Sequence, residues 1–255
     1  MDVAVLGLGE AGRVYATDLL SNGVSVRGFD IRQIEPIEGL TTTQSIEEAV
    51  QDVDLVLSLT TTAGAMDAAQ SARSTMRPDA IFADLNAASP ALMASLADVI
   101  GRDRFVDVAI LTPARRHGLR SHLLASGEAA VAFAALFKPF DVPLKIVPGP
   151  AGVASRWKLL RSVFMKSLAA AILESRAAAV EAGCEDWLLA EIASELGENG
   201  SALVDRMIVG TGQHAARRVT EMQDARACMV ELGAPTDVTD AAITWLRAVA
   251  AGQRA

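Results

Sequence analysis

One short segment near the start of the chain limits the possible folds more than any other feature. Residues 7–12 read Gly-Leu-Gly-Glu-Ala-Gly, the pattern G-x-G-x-x-G, between an apolar strand-like run and an amphipathic run. In that context Gly7 permits a tight strand-to-helix turn, Gly9 lets the backbone approach a pyrophosphate, and Gly12 lets the helix pack closely on the strand. The pyrophosphate would lie on the free N–H groups at the helix N-terminus. The segment therefore predicts a dinucleotide site whose loop consists of Gly7, Leu8, Gly9, Glu10, Ala11 and Gly12.

An acidic residue supports the same prediction. Asp30 follows the next strand pattern, 24–29, close to the spacing of about 20 residues at which a ribose-binding carboxylate is found. A carboxylate there favours the free ribose hydroxyls of NAD and repels the 2′-phosphate of NADP. Arg32, two residues on, offers a positive charge that suits NADP. The sequence thus leaves NAD and NADP both open as the cofactor, with NAD favoured.

The order of elements predicts two domains. Strand patterns at 3–6, 24–29, 55–59, 80–84, 105–108, 123–126 and 144–147 alternate mostly with helical patterns at 11–22, 45–50, 64–75, 89–100 and 129–137. Such alternation indicates βαβ units and a mostly parallel sheet. Beyond the break Pro-Gly-Pro-Ala-Gly at 148–152, every segment is helical in pattern. We therefore predict an α/β fold, with a Rossmann-type doubly wound sheet over residues 1–150 and an all-α domain over 151–255.

Composition narrows the class of protein further. The net charge is −8, and no basic stripe with interleaved aromatics is present, so nucleic acid is not expected as a partner. No uncharged apolar stretch reaches about 18 residues, so we expect no membrane span. No secretory signal pattern opens the chain, and a cytoplasmic location is expected. The histidines and cysteines do not have a metal-ligand spacing, and no metal is expected.

Four segments, residues 7–12, 54–60, 84–90 and 149–158, together resemble the β-hydroxyacid dehydrogenase superfamily, which includes 3-hydroxyisobutyrate and 6-phosphogluconate dehydrogenases. The glycine loop is similar to the family's cofactor loop, and residues 54–60, ending in Thr60, resemble its strand with a cofactor-facing end. Residues 84–90 resemble its D-x-S-T-x-x-P segment, with Asn86 where serine is usual. Residues 149–158 follow its pattern G-x-x-G-x-[GA]-x-x-x-K. The resemblance implies cofactor contacts at Thr60 and Asn86 and a catalytic role for Lys158.

The chain departs from the family pattern at three places. Arg161 and Ser162 stand where the family has asparagine after the lysine. Residues 108–120 replace its Ser-Gly-Gly loop, and residues 214–222 replace its late K-D-L-x-L-A segment. The later residues resemble a branch with a phosphogluconate-dehydrogenase-like C-terminal domain. These departures leave the fold and the cofactor class intact, and they leave the substrate open.

Lys158 is the predicted general acid/base. Oxidation of an alcohol needs a base for the hydroxyl proton while hydride leaves to the nicotinamide, and the same group donates the proton in reduction. Ser162 is one helical turn further on and could orient the substrate hydroxyl, or be only a small residue at a helix contact. Lys166, a further turn on, could bind a substrate anion, although a surface role is favoured.

Arginines and a histidine in the middle and late parts of the chain suggest an anionic small-molecule substrate. Arginine forks suit carboxylates and phosphates, although each of these side chains could equally belong to a solvated surface. The helical pattern after residue 210 predicts that His214, Arg217 and Arg218 fall on successive turns. The predicted substrate-binding residues are Arg115, Arg120, Arg161, His214 and Arg218.

The leading hypothesis is an NAD(P)-dependent dehydrogenase or reductase of the EC 1.1.1 kind, acting on a small β-hydroxy acid or a related hydroxy or keto compound. One alternative is an imine or ketone reductase of similar architecture, whose members generally lack the lysine. Another is a dinucleotide-binding protein that has lost catalysis. The long apolar helix predicted after residue 153 has more apolar surface than one small domain easily buries, which suggests a homodimer through the helical domain.

Overall fold

A computed structural model describes residues 1–86 and 88–253 of the chain. The chain forms two compact units, Met1–Lys158 and Leu159–Ala255. The first unit contains an eight-stranded sheet in the order β3-β2-β1-β4-β5-β6-β7-β8. The strands are β1 Asp2–Leu6, β2 Ser25–Phe29, β3 Thr41–Thr42, β4 Leu55–Ser58, β5 Ile81–Asp84, β6 Phe105–Ile110, β7 Leu123–Ser126 and β8 Leu144–Ile146.

Helices connect these strands and cover both faces of the sheet. They are α1 Glu10–Ser21, α2 Ile46–Val50, α3 Ala65–Arg73, α4 Pro90–Ile100, α5 Ala114–His117 and α6 Ala130–Phe137. Two large buried clusters lie on opposite faces, because successive strand residues such as Val5 and Leu6 belong to different clusters. The predicted α/β class with a doubly wound sheet is confirmed.

The mostly parallel sheet has two features that the sequence patterns did not indicate. β3 has two residues, too short for a periodic pattern, and it pairs with β2 at the sheet edge. β6 and β7 pair antiparallel, whereas the other neighbouring strands are parallel. The chain reverses there through α5 and a 3₁₀ turn, Gly118–Arg120. Neither element is among those that the sequence patterns predict.

Buried polar residues lie in one row across the middle of the sheet. Register pairs Ser58 with Asp84, Asp84 with Asp107, and Asp107 with Ser126 on four neighbouring strands. All four side chains are fully buried. Polar groups buried in this way need hydrogen-bond partners, and these partners shape the candidate site.

The second unit consists of helices, as predicted. α7 Val153–Ala182 begins in the first unit and continues into the second, followed by α8 Glu185–Glu195, α9 Gly200–Glu231 and α10 Asp237–Ala250. α7 packs on α8 and α9 through one cluster that includes Ile172 and Met207. A second cluster, with Leu173 and Leu246, joins α7, α9 and α10. The homodimer stays a prediction.

Among residues 1–86 and 88–253, no helix combines the length and the apolar character that crossing a bilayer requires.

Candidate functional site

The glycine loop leaves β1 at the carboxyl edge of the sheet and leads into α1. Gly7 has φ +87°, a left-handed conformation that favours glycine. Its N–H donates to the carbonyl of Phe29 at 2.8 Å. A Cβ at Gly7 would lie 2.4 Å from the carbonyl oxygen of Leu59. The turn is therefore wedged between β2 and the end of β4 and admits no side chain.

The other two glycines of the loop face different surroundings. A Cβ at Gly12 would lie 1.8 Å from the Gly7 carbonyl oxygen, so the helix packs on the loop backbone. Among residues 1–86 and 88–253, only the Arg32 guanidinium would lie within 4 Å of a Cβ at Gly9, at 3.6 Å. The space beside Gly9 is thus left open by the protein, as expected where a ligand backbone or pyrophosphate approaches. Gly9 also supplies no side-chain cap to α1, whose first N–H groups suit an anion.

Asp30 lies at the end of β2 and is held by the glycine loop. Its Oδ2 accepts from the N–H of Leu8 at 2.8 Å, and its Oδ1 accepts from the N–H and Nε of Arg32 at 2.9 and 3.3 Å. Burial raises the pKa of the Asp30 carboxyl, but these hydrogen bonds and the Arg32 charge outweigh burial and hold its pKa below the ordinary value. The Asp30 side chain is 6% exposed, and that of Arg32 is 71% exposed.

The remaining predicted loop residues are Leu8, which is buried, Glu10, which is exposed, and Ala11, which is half-buried.

Asn86 lies at the end of β5 with its carboxamide fixed from behind. Its Nδ2 lies 2.9 Å from Asp84 Oδ2, 3.3 Å from Ser58 Oγ and 3.2 Å from Thr60 Oγ1. The Asn86 N–H donates to Asp84 Oδ1 at 2.9 Å, and Ser58 Oγ donates to Asp84 Oδ2 at 2.9 Å. Because the amide nitrogen is turned toward Asp84, the amide oxygen is directed away from this cluster. The structure therefore brings Thr60 and Asn86 together.

The Asp84 carboxyl group is buried, and its pKa is shifted from the ordinary value. Burial raises its pKa to about 6, opposed by hydrogen bonds from Asn86 and Ser58, while the Asp107 carboxylate adds to the increase. Between the ordinary value of 3.8 and about 6, folded Asp84 holds a proton that the unfolded chain has released. Its contribution to the free energy of unfolding is therefore full below that range and is lost as the pH rises through about 6.

Because Asp84 titrates in this range, the difference in free energy of unfolding between the wild type and Asp84→Asn should depend on pH. Urea unfolding followed by circular dichroism would give the free energy of unfolding of both proteins at several pH values between about 4 and 7. The wild type should lose up to about 3 kcal/mol relative to the variant across that range. A wild type that gains stability over the variant as the pH rises would contradict the raised pKa.

Lys158 lies in the second turn of α7 and is half-buried. The helix starts against the segment that carries Asn86, since a Cβ at Gly152 would lie 2.7 Å from the carbonyl oxygen of Pro90, the first residue of α4. Asp107 in the sheet accepts from the N–H groups of Gly152 and Ser155 at 2.8 and 3.0 Å. Within the first unit, the start of the helix that carries Lys158 is thus tied to the edge of the sheet where the glycine loop lies.

The arginine-rich segment packs on α1. The Leu119 N–H donates to Asp18 Oδ2 at 2.9 Å, and a Cβ at Gly118 would lie 1.8 Å from the same oxygen. Asp18 lies two turns into α1, about 12 Å along the helix from its N-terminus. Arg115 and Arg120 are both exposed around this anchor.

In the second unit, Ser162 belongs to a partly buried charged cluster. Lys166 Nζ donates to Ser162 Oγ at 3.0 Å and pairs with Glu221 Oε2 at 2.7 Å, which links α7 to α9. Arg217 Nε lies 3.7 Å from Glu221 Oε1. The side chain of Lys166 is 13% exposed. The expected surface role of Lys166 is therefore wrong, and no sequence pattern pointed to Glu221, which lies on another helix.

The other predicted substrate residues of this unit are Arg161 on α7, and His214 and Arg218 on α9. Arg161 is exposed. His214 has φ −131° and ψ 20°, which kinks α9, so a continuous helix with successive turns at this residue is not what forms. Across the kink, Arg218 Nη1 donates to the buried hydroxyl of Thr211. Burial lowers the pKa of Arg218.

Two sequence families match the chain. Residues 2–109 match the NAD binding domain of 6-phosphogluconate dehydrogenase. Residues 179–249 match a domain of unknown function, DUF1932. The first match spans the glycine loop, Asp30, Thr60 and Asn86, and it supports a nicotinamide dinucleotide as cofactor.

Known proteins are similar to this chain over most of its length. An uncharacterized 28.5 kDa protein from Methanothermus fervidus is 28% identical over 227 residues, covering 87% of this chain and 88% of that protein. A conserved protein of unknown function, described as structurally similar to 3-hydroxyacid dehydrogenases, is 27% identical with a TM-score of 0.77, over 99% and 98% of the chains. A 3-hydroxyisobutyrate dehydrogenase from Salmonella typhimurium has the same fold, with 19% identity and a TM-score of 0.80 over 100% and 96%. The family resemblance found in the sequence is thus confirmed.

Proposed function

We propose that this chain, which has the domains and the fold of the β-hydroxyacid dehydrogenase superfamily, is a nicotinamide-dependent oxidoreductase that uses Lys158 as its general acid/base. The open space beside Gly9, at an uncapped helix N-terminus, carries the cofactor part of the proposal. The close approach of the start of α7 to the segment of Asn86 supports the role of Lys158. Both observations lie within the first unit.

Each residue of the proposed site has a separate role in the reaction. The nicotinamide cofactor, when bound, supplies or accepts the hydride. Lys158 would take the proton from the substrate hydroxyl in oxidation and return it to the carbonyl in reduction. Asn86, held by Asp84 and Thr60, would present its amide oxygen to the cofactor side of the sheet edge. Glu10 and Ala11 would line the pyrophosphate with their backbone N–H groups.

We favour NADP over NAD as the cofactor, although the sequence alone favours NAD. The Asp30 carboxylate already accepts three hydrogen bonds and is almost fully covered, so it is poorly placed to bind a ribose diol. Arg32 is the exposed member of the pair and lies beside Gly9. Its guanidinium is suited to the 2′-phosphate of NADP.

Replacement of Arg32 tests this preference. Arg32→Ala should weaken NADPH binding about ten- to hundredfold, since a hydrogen bond to a charged group contributes about 1.5–3 kcal/mol. Binding of NADH should hardly change. Arg73→Ala, at an exposed arginine at the end of α3, is the matched control. Equal losses for NADPH and NADH, measured by fluorescence titration, would contradict the role of Arg32.

We propose a small anionic β-hydroxy acid, or the corresponding keto compound, as the substrate. Arg218 supports an anionic substrate, because burial lowers the pKa of its guanidinium in spite of the opposing Glu221 carboxylate, and its hydrogen bond goes to a neutral hydroxyl on Thr211. Ser162 would orient the substrate hydroxyl, with its own orientation fixed by Lys166. The further residues proposed to contact the substrate are Arg115, Arg120, Arg161 and His214.

Turnover assays distinguish the candidate functions. The purified protein would be given a panel of β-hydroxy acids with NADP⁺, and of keto acids and cyclic imines with NADPH, and nicotinamide absorbance would be followed. Oxidation of a hydroxy acid that depends on Lys158 supports the proposal. Reduction of imines that is unaffected by Lys158→Ala would identify an imine reductase instead. Tight NADPH binding without turnover of any compound would indicate a protein that has lost catalysis.

A further inference from the structure

The N-terminus of α7 is closed by side chains from the sheet. The N–H groups of Gly152 and Ser155 donate to Asp107 Oδ2 at 2.8 and 3.0 Å. The N–H of Ala154 donates to Ser126 Oγ at 3.0 Å. The first N–H groups of a helix have no partner within the helix and are usually satisfied locally or by water. Here residues far away in the sequence satisfy them.

Asp107 is the centre of this arrangement. It lies on β6, is fully buried, and also accepts from Ser155 Oγ at 2.6 Å and from Ser126 Oγ at 3.0 Å. Four hydrogen bonds thus converge on one carboxyl group, which has about four lone-pair positions for them. Charge-assisted hydrogen bonds in a buried setting are strong and directional. The group Asp107, Ser126 and Ser155 is called the α7 cap below.

The α7 cap fixes the helix from which Lys158 projects. Lys158 lies three residues after Ser155, about 4.5 Å further along the helix axis. The helix start also approaches the backbone of Pro90, so closely at Gly152 that no side chain fits. The first turn of α7 is therefore held by the α7 cap and by Pro90, and these contacts fix the position of Lys158 relative to the sheet edge.

We propose that Asp107 is a positioning residue for Lys158, acting through the α7 cap, a role that rests on the proposed function of Lys158. The contrast with α1 supports this role. The N-terminus of α1 follows a glycine without a side-chain cap and is free for a ligand, whereas the corresponding N–H groups of α7 are occupied by Asp107 and Ser126. Consequently a substrate carboxylate or phosphate binds through side chains and not at the N-terminus of α7.

The experiment compares Asp107→Asn with Asp103→Asn, the same chemical change at an exposed site four residues away. In Asp107→Asn the charge is lost and one of the two acceptor oxygens becomes an NH2 donor, so the four charge-assisted hydrogen bonds to Asp107 cannot all be kept and the α7 cap is weakened. Both proteins would be treated with an amine-acylating reagent, and the rate at which Lys158 is acylated would be measured by mass spectrometry. The exposed Lys138 in the same chain serves as the reference. We expect faster labelling of Lys158 relative to Lys138 in Asp107→Asn and no change in Asp103→Asn.

Kinetics provide the second measurement. A displacement of about 1 Å at a catalytic group costs about a hundredfold in rate, so kcat of Asp107→Asn should fall by that order. The dissociation constant of NADPH should stay unchanged, since the glycine loop is not part of the α7 cap. Ser155→Ala, which removes one of the four bonds and keeps the backbone N–H bonds, should give a smaller loss and serves if Asp107→Asn does not fold.

The two proposals fail in different ways. Labelling of Lys158 that is the same in the wild type, Asp107→Asn and Ser155→Ala would overturn the positioning role, whatever the turnover. A wild type without turnover, in which labelling of Lys158 still depends on Asp107, would contradict the proposed function and support the positioning of the side chain. Loss of NADPH binding in parallel with kcat would also overturn the positioning role, because it would indicate a general disturbance of the first unit.

Discussion

Lys158→Ala is expected to lower kcat by about two to four orders of magnitude, the contribution of a positioned general acid or base. The lysine lies just beyond a helix start that is fixed to the sheet by Asp107 and pressed against Pro90. Removing the amine takes away the proton acceptor without disturbing these contacts. Binding of NADPH should therefore be retained.

Steady-state rates with the substrate found in the panel would measure this loss, and NADPH titration would check cofactor binding in the same variant. Lys138→Ala, at an exposed lysine of the first unit, is the matched control and should keep full activity. Lys158→Arg keeps the charge but cannot release a proton near neutral pH, so it should be nearly as slow as the alanine variant. Full turnover in Lys158→Ala would remove the mechanism.

Gly9→Ala is expected to abolish useful cofactor binding while leaving the fold intact. The added methyl group has room in the protein alone, because the nearest heavy atom is a guanidinium nitrogen of Arg32 at 3.6 Å. That room is where the pyrophosphate is predicted to approach. NADPH affinity should fall by about two orders of magnitude, equivalent to about 2.7 kcal/mol. The melting temperature without cofactor should hardly change.

Gly12→Ala serves as a comparison, because the protein itself has no room for a methyl group at that position. There the methyl carbon would lie 1.8 Å from the carbonyl oxygen of Gly7, so the helix must move away from the loop. This variant should lose thermal stability in the absence of cofactor as well as NADPH affinity. If Gly9→Ala were as unstable as Gly12→Ala, or bound NADPH as tightly as the wild type, the open space beside Gly9 would not be a cofactor site.

Local patterns in the sequence predicted most of the first unit. Apolar runs such as Leu55–Ser58 form buried strands because both faces of a parallel sheet are covered, and the glycine loop follows a rule that involves only neighbouring residues. β3 escaped prediction because two residues carry no periodicity. α5 escaped because it has four residues, and its arginines are typical of loops as well.

The parts of the site that the sequence did not predict depend on contacts between distant residues. Asp107 meets Gly152 and Ser155 across 45 and 48 residues, and a single buried aspartate in a strand gives no sign of its partners. The pair of Lys166 and Glu221 joins two helices in the same way. The kink of α9 at His214 has no proline, and the sequence indicates it only through Gly210 and Gly212, which favour a helix end a few residues earlier. Such features arise from tertiary packing and become visible only in the folded chain.

Fluorescence titration of the purified protein with NADPH and with NADH tests the central claim most directly. The account predicts saturable binding of one nicotinamide dinucleotide per chain, with NADPH bound at least about tenfold more tightly than NADH. Absence of saturable binding for both would contradict the cofactor site at the glycine loop, and with it the reason to assign catalysis to Lys158.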